Sequence, residues 1–193
     1  LGEHNIYNLL AAAAAASAQG ISLNIIQDVF QKIPTIPGRF ESVNMGQNFS
    51  VLVDYAHTED ALSKSIIATK AFTKGKVIVV FGCGGDRDQG KRKKMGEAAL
   101  QDADFSVITS DNPRTEDPEQ IINDIKKGFP STESYTAITN RRKAIEYAIN
   151  LAEKNDLVLI AGKGHEGYQI AGTKKEHFDD REVAREFLRQ RVH

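Results

Sequence analysis

One cysteine in 193 residues, Cys83, has no partner within the chain. An intrachain disulfide is therefore excluded, and a reducing compartment, the cytoplasm, is the expected setting. An excess of one charge is missing too, since 25 basic and 26 acidic side chains nearly cancel. That balance gives no support to nucleic-acid or anionic-membrane partners, although a local basic patch would survive it. The longest apolar run, Leu9 to Ala16, is mostly alanine and too short to span a bilayer. No cleavable signal pattern opens the chain. His4 and His57 would be metal ligands only with other donors nearby, and no zinc spacing occurs, so no metal site is expected. His177 and His193 read as incidental.

What is present is ordinary for a globular protein: 40% apolar and 26% charged residues, enough for one domain with an appendage. The chain starts at Leu1, without an initiator methionine, and runs almost at once into a helix. It reads as a piece of something larger. Residues from about Ile6 to Ala18 favour a helix that Gly20 stops, and Ser22 caps a second one bearing Leu23, Ile26, Val29 and Phe30. Pro34 and Pro37 then make a connector, with a domain boundary expected between residues 1–34 and 35–193.

Beyond Gly38 strands and helices alternate. Arg39–Val43 and Ser50–Val53 read as a hairpin-like opening, and Thr58 starts a helix with Leu62, Ile66 and Phe72. Lys76–Phe81, Phe105–Thr109, Tyr135–Ile138 and Leu157–Ala161 read as strands. Helices are expected around Arg92–Gln101, after Asp117-Pro118, and over Ala144–Ala152. A last helix opens on a capping-box-like Asp179 and Glu182. The alternation predicts an α/β fold: a mostly parallel, Rossmann-like sheet with helices on both faces, preceded by a helical remnant.

The chemistry-bearing residues fall where apolar strands end. FGCGGDRDQGKR (81–92), TSDNPR (109–114) and AGKGHEGYQ (161–169) all start at such ends, and in an open α/β sheet those loops converge on one rim. A single crevice gathering arginines, a lysine, a histidine and carboxylates is the expectation. The glycines at 82, 84 and 85 fit either a phosphate-binding turn or simple close chain turning, because Arg87 stands where a dinucleotide fingerprint needs glycine. Gly162-Lys163-Gly164 is not a P-loop. Asp111, Asn112, Pro113 and Arg114 make either an Asx-type turn or a rigid loop presenting a guanidinium to a carboxylate. Glu166 suits an ammonium, and His165 is more often a structural hydrogen-bonder. Asp54 either binds a ribose hydroxyl or caps a helix.

Read in order, GEHNIYNLLAA (2–12), PGRFE (37–41), DYAHTEDAL (54–62), FGCGGDRDQGKR (81–92), TSDNPRTEDP (109–118), GKGHEGYQ (162–169) and FDDREVA (178–184) carry a stronger message. Together they closely resemble the Mur ligases, and among them the UDP-N-acetylmuramoyl-tripeptide synthetases (the MurE type), over essentially the whole chain. The resemblance implies an ATP-dependent, amide-bond-forming ligase of cell-wall peptidoglycan synthesis. In such enzymes ATP phosphorylates the D-glutamate γ-carboxylate of UDP-MurNAc-L-Ala-D-Glu, and an incoming amine attacks the acyl phosphate. The P-loop, magnesium ligands and carbamylated lysine of those enzymes have no counterpart motif here, so this chain resembles their last central-domain helices plus the C-terminal domain, inactive alone.

The resemblance places Arg87, Asp111, Asn112, Pro113, Arg114, Gly162 and Glu166 around meso-diaminopimelate. It places Asn5, Asn8, Arg39, Asp54 and His57 near ATP, with Lys91 as a further neighbour. Arg39 would in addition steady charge on the transferring phosphoryl group. Glu59 and Lys93 depart from the usual residues of relatives, beside the motifs rather than in them. A swing on the linker near Pro34 and Pro37 would close the domain over ATP. Three alternatives stay open: an L-lysine-adding ligase of the same family, a non-catalytic amino-acid or nucleotide sensor, and a folate-polyglutamate-type relative, whose motifs fit less well.

Overall fold

A computed structural model describes residues 3–32 and 36–192, and the side chains of residues 6–32 and 36–192. The chain divides into two compact units, Leu1–Ile36 and Pro37–His193. Pro34 lies outside the described residues.

The first unit is a helix pair. The alanine-rich α1 (Glu3–Ala18) ends at Gly20, whose φ of +82° only glycine adopts without strain. After it, α2 (Leu23–Lys32) buries Ile26, while Leu23 and Val29 of its expected apolar face are exposed.

In the second unit, β1 (Glu41–Ser42) pairs antiparallel with β2 (Ser50–Asp54), which is the expected opening. Thr58 caps α3 (Glu59–Lys70) by accepting the Ala61 N–H on its hydroxyl. That helix stops before Phe72, which is exposed and not part of its packed face. Then follow β3 (Val77–Phe81), α4 (Gly90–Asp102), β4 (Phe105–Ile108), α5 (Pro118–Lys126), β5 (Tyr135–Ala137), α6 (Arg141–Leu151) and β6 (Leu157–Ala161). Asp117 and Pro118 start α5 as the sequence predicts: the Asp117 carboxylate accepts the Glu119 N–H and proline occupies the first turn.

The sheet order is β1-β2-β6-β3-β4-β5, parallel except for β1. The period-2 alternation of the buried strands splits the core in two. Val77, Val79, Phe81, Leu157 and Leu159 point to the face covered by α3, α4 and α5. Ile78, Val80, Val158 and Ile160 point to the other face, covered by α6 and the closing helix α7 (Asp180–Val192). The start of α7 is half of the expected capping box. Asp179 Oδ1 accepts the Arg181 N–H at 2.8 Å, but the Glu182 carboxylate takes His177 Nε2 instead of reaching back.

One element was not foreseen. Between β6 and α7 a hairpin forms from β7 (Tyr168–Ala171) and β8 (Lys174–His177). Its sequence, YQIAGTKKEH, has no apolar alternation on the second strand, and every residue of β8 is exposed.

Candidate functional site

Because β2, β3, β4 and β6 run parallel, the loops after Asp54, Phe81, Ile108 and Ala161 share one rim. Late insertion of β6 between β2 and β3 makes a topological switch, where loops on neighbouring strands diverge and leave a crevice. A cavity of about 490 Å³ lies there, and all four loops line it. The second loop contributes Gly82, Gly84, Arg87 and Asp88, and the first turn of α4 adds Lys91. Asp111, Asn112 and Arg114 come from the third, Gly162 and Glu166 from the fourth, and Tyr55, His57 and Thr58 from the first.

Two of these loops are locked together from behind. The Arg92 guanidinium, 1% exposed, gives Nη2 to both Glu116 oxygens at 2.8 Å and Nη1 to Asp124 at 3.1 Å. Glu116 also accepts the Asp86 N–H at 2.6 Å. That N–H, and then Arg92, hold the Glu116 carboxyl below the usual carboxylate range. Asp86 in turn accepts the Thr115 hydroxyl and N–H, which lower its own pKa. The glycines serve close approach: a Cβ at Gly84 would stand 2.9 Å from Arg114 Nη1, and one at Gly85 would strike the Pro113 carbonyl. Of the two readings open for this turn, tight chain packing is what the geometry displays.

Arg114 is half-buried, with φ of +51°, a left-handed conformation that side chains rarely adopt. Such a residue costs on the order of 1–3 kcal/mol and persists where its surroundings over-determine it. Its Nη1 donates to Gly85 O at 2.7 Å. Asn112 is the hub of the floor. Its Nδ2 donates to Glu166 Oε2 at 3.1 Å, while its Oδ1 accepts Lys163 Nζ at 3.2 Å and the Ile170 N–H at 2.9 Å. Lys163 is wholly buried, 3.4 Å from Glu166 and 4.0 Å from Asp111. Burial pulls its pKa below the usual lysine value, against the opposing pull of Asp111 and Glu166. Beneath this layer Arg141 and Asp180 form a fully buried bidentate pair, and Arg141 Nη2 also reaches Ala161 O.

The structure thus brings Arg87, Asp111, Asn112, Arg114, Gly162, Glu166, His57 and Lys91 to one cavity. Pro113 is buried behind it, its carbonyl accepting the Glu116 N–H. His165 is exposed and tilts against Tyr55, so the imidazole lining the cavity belongs to His57. Arg39 is exposed, with its guanidinium 4.8 Å from the Tyr55 ring centre. Asp54 is not brought to the cavity. It is 4% exposed, accepting the Phe40 N–H at 3.2 Å and the Ser65 hydroxyl at 2.7 Å. Asn8 is exposed on α1, and the Asn5 side chain lies outside the described residues. Sequence reasoning passed over Tyr55 and Tyr168, which line the cavity, and Arg92 and Glu116, which brace it. All four sit inside motifs the sequence displayed, Glu116 in TSDNPRTEDP (109–118).

Comparison with known proteins matches residues 38–164 to the model of the Mur ligase, glutamate ligase domain. A UDP-N-acetylmuramoyl-L-alanyl-D-glutamate--2,6-diaminopimelate ligase of Fusobacterium nucleatum is 51% identical over all of this chain and 40% of its own length. The enzyme of that name from Geobacillus thermodenitrificans is 50% identical over 99% of this chain and 39% of its own. The chain spans about 40% of the length of the curated relatives it matches. A solved structure bearing the same name superposes with a TM-score of 0.79 at 42% identity, over all of this chain and 40% of that one. A Mycobacterium tuberculosis folylpolyglutamate synthase, 23% identical with a TM-score of 0.67 over 83% of this chain and 38% of its own, shares the fold alone. Among the described residues no helix is long and apolar enough to cross a membrane. With the match running from the Gly38 turn through every rim loop to Gly164, this chain belongs to the Mur ligase family.

Proposed function

We propose that this chain is the amino-acid-accepting part of a longer, cytoplasmic, ATP-dependent ligase that joins meso-diaminopimelate to UDP-N-acetylmuramoyl-L-alanyl-D-glutamate. One observation carries the reading: Arg114 and Glu166, a guanidinium and a carboxylate from different loops, line the same cavity as Arg87 and Asp111. A diamino diacid presents the complementary set of ammonium and carboxylate groups. The names of the relatives at about half identity support the same substrate pair.

In this reading Arg114, its Nη1 anchored on Gly85, takes the distal carboxylate through the rest of its fork. Glu166, steadied by Asn112, faces an ammonium, and Arg87 takes the remaining carboxylate. L-Lysine lacks the distal carboxylate, so binding it would leave Arg114 unsatisfied, and a site built for a polar group rejects the analogue lacking it by about 10⁴-fold. Holding the amine in line with an activated carboxyl supplies up to about 7–11 kcal/mol of the rate enhancement.

ATP would provide the phosphoryl group that activates the glutamate carboxylate. Arg39, His57 and Lys91 fit its phosphates, being cationic or hydrogen-bonding groups around the Tyr55 edge of the cavity. Asp54 serves that edge by holding the turn at Phe40, beside Arg39. Among the described residues no three His, Cys, Asp or Glu side chains gather as a metal-ligand group. Magnesium is assigned to the remainder of the longer ligase, together with the domain to which α1 and α2 belong. The test is ligation by the full gene product carrying this chain, with meso-diaminopimelate or L-lysine as acceptor. Efficient use of the first and neglect of the second is expected; equal use, or none of either, overturns the proposal.

A further inference from the structure

We propose that the β7–β8 hairpin is a specificity clamp, holding Arg114 in its left-handed conformation and so deciding whether the cavity reads a distal carboxylate. The inference rests on the diaminopimelate reading and deepens it, moving part of the selectivity from a side chain to a neighbouring backbone.

The hairpin has no structural reason of its own to exist. Two strands alone are marginal in water, and here one strand is fully exposed and the other at most half-buried. Among the described residues β8 pairs only with β7, from Tyr168↔His177 to Ala171↔Lys174. The other edge of β7 is spent on the Arg114 loop. Ile170 O accepts the Arg114 N–H at 3.1 Å, and the Gly172 N–H donates to Arg114 O at 2.6 Å. Both backbone groups of the strained residue are therefore taken by the hairpin, which forms a parallel bridge between Arg114 and Ala171.

The same strand fixes the neighbours. The Ile170 N–H donates to Asn112 Oδ1 at 2.9 Å, and Gln169 Nε2 donates to Asp111 O. Asn112 passes that constraint to Glu166, and Tyr168 stands in the cavity wall. Without these bonds, a non-glycine residue at φ +51° relaxes to a negative φ, swinging the guanidinium away from its anchor on Gly85. Ile170 and Gly172 are thus positioning residues. They act through Arg114 and Asn112 and bring no group of their own to the ligand.

The experiment has two arms. In this chain, amide hydrogen exchange at Arg114 is read for wild type and for Ile170→Pro, which deletes the donor to Asn112. A second variant, Lys174→Gly with Glu176→Gly, loosens β8 and leaves in place Lys175, whose Nζ lies 3.7 Å from the centre of the cavity-lining Tyr168 ring. Exchange at Arg114 accelerates at least about tenfold in both variants, with the thermal midpoint of the main sheet unchanged. In the full gene product, the preference for meso-diaminopimelate over L-lysine falls by about tenfold or more in both variants, chiefly through the KM for diaminopimelate. Ile170→Val, which keeps the N–H, retains the preference. Unchanged exchange at Arg114, or equal losses for both amino acids, overturns the clamp. A wild-type enzyme that ignores diaminopimelate overturns the functional reading instead, and the exchange arm then decides whether the hairpin holds Arg114.

Discussion

The two ends of the sheet each carry a cavity of similar size, about 450 Å³ at the amino ends of the strands and about 490 Å³ at the carboxyl ends. Their chemistry is opposite. At the amino end the polar groups are absorbed into turns: Asn44 Oδ1 takes the Gly46 N–H, and Gln47 bonds Met45 and Val43. Asp156 accepts the N–H groups of Lys76 and Glu153. At the carboxyl end Arg87 and Arg114 line the cavity with no ion pair among the described residues, while the buried Arg92 and Arg141, paired to carboxylates, fix the loops around them. Volume does not make a site. Charge that the protein holds in place but does not neutralise does.

That contrast breaks in graded ways. The largest effect is expected from Arg114→Ala in the full ligase: kcat/KM for meso-diaminopimelate falls by about 10⁴-fold while that for L-lysine barely moves, measured by amide-bond formation. A drop shared by both amino acids would mean the arginine braces the loop and does not read the substrate. Next comes the floor beneath the rim. Arg141→Met strands a fully buried Asp180, and breaking such a pair costs about 3–5 kcal/mol in urea unfolding.

Lys163 gives a smaller, pH-dependent signature. Its folded pKa lies below the ordinary lysine value of 10.5, so at alkaline pH the unfolded chain binds the proton more tightly than the folded one. Stability from this group therefore rises as pH climbs through the folded pKa towards 10.5, and the cost of burying the charge is full below that window. The stability difference between wild type and Lys163→Met, followed by denaturant titration, should rise over the same interval. A flat difference would show that Asp111 and Glu166 fully offset the burial. The smallest effect is expected at the amino end. Asn48→Ala with Lys74→Ala should alter stability by less than about 0.5 kcal/mol and leave ligation untouched. A measurable loss of turnover there would give the second cavity a function and erase the contrast.

Much of the fold was legible because its signals are local. VIVVF and LVLIA, short and bounded by turn residues, read as strands buried on both faces and are, and Asp117-Pro118 marks a helix start. The hairpin was not legible, since KKEH has no apolar pattern and its pairing is secured by a loop over fifty residues away in sequence. Arg92 was visible as a charge but not as a brace, because its partners, Glu116 in the loop before α5 and Asp124 on α5, come from a distant stretch of the chain. Asp54 shows the reverse: a carboxylate at a strand end reads as a ligand contact until burial reveals Phe40 and Ser65 as its partners.

The sequence by itself determined the strands, the helix starts and which loops carry arginine, carboxylate and glycine, since propensity, capping and periodicity act over a few residues. Only the tertiary structure decided which of those charges stay unspent. Whether a guanidinium meets a carboxylate from another loop, as Arg92 does, or faces a cavity, as Arg114 does, depends on which strands the sheet sets side by side.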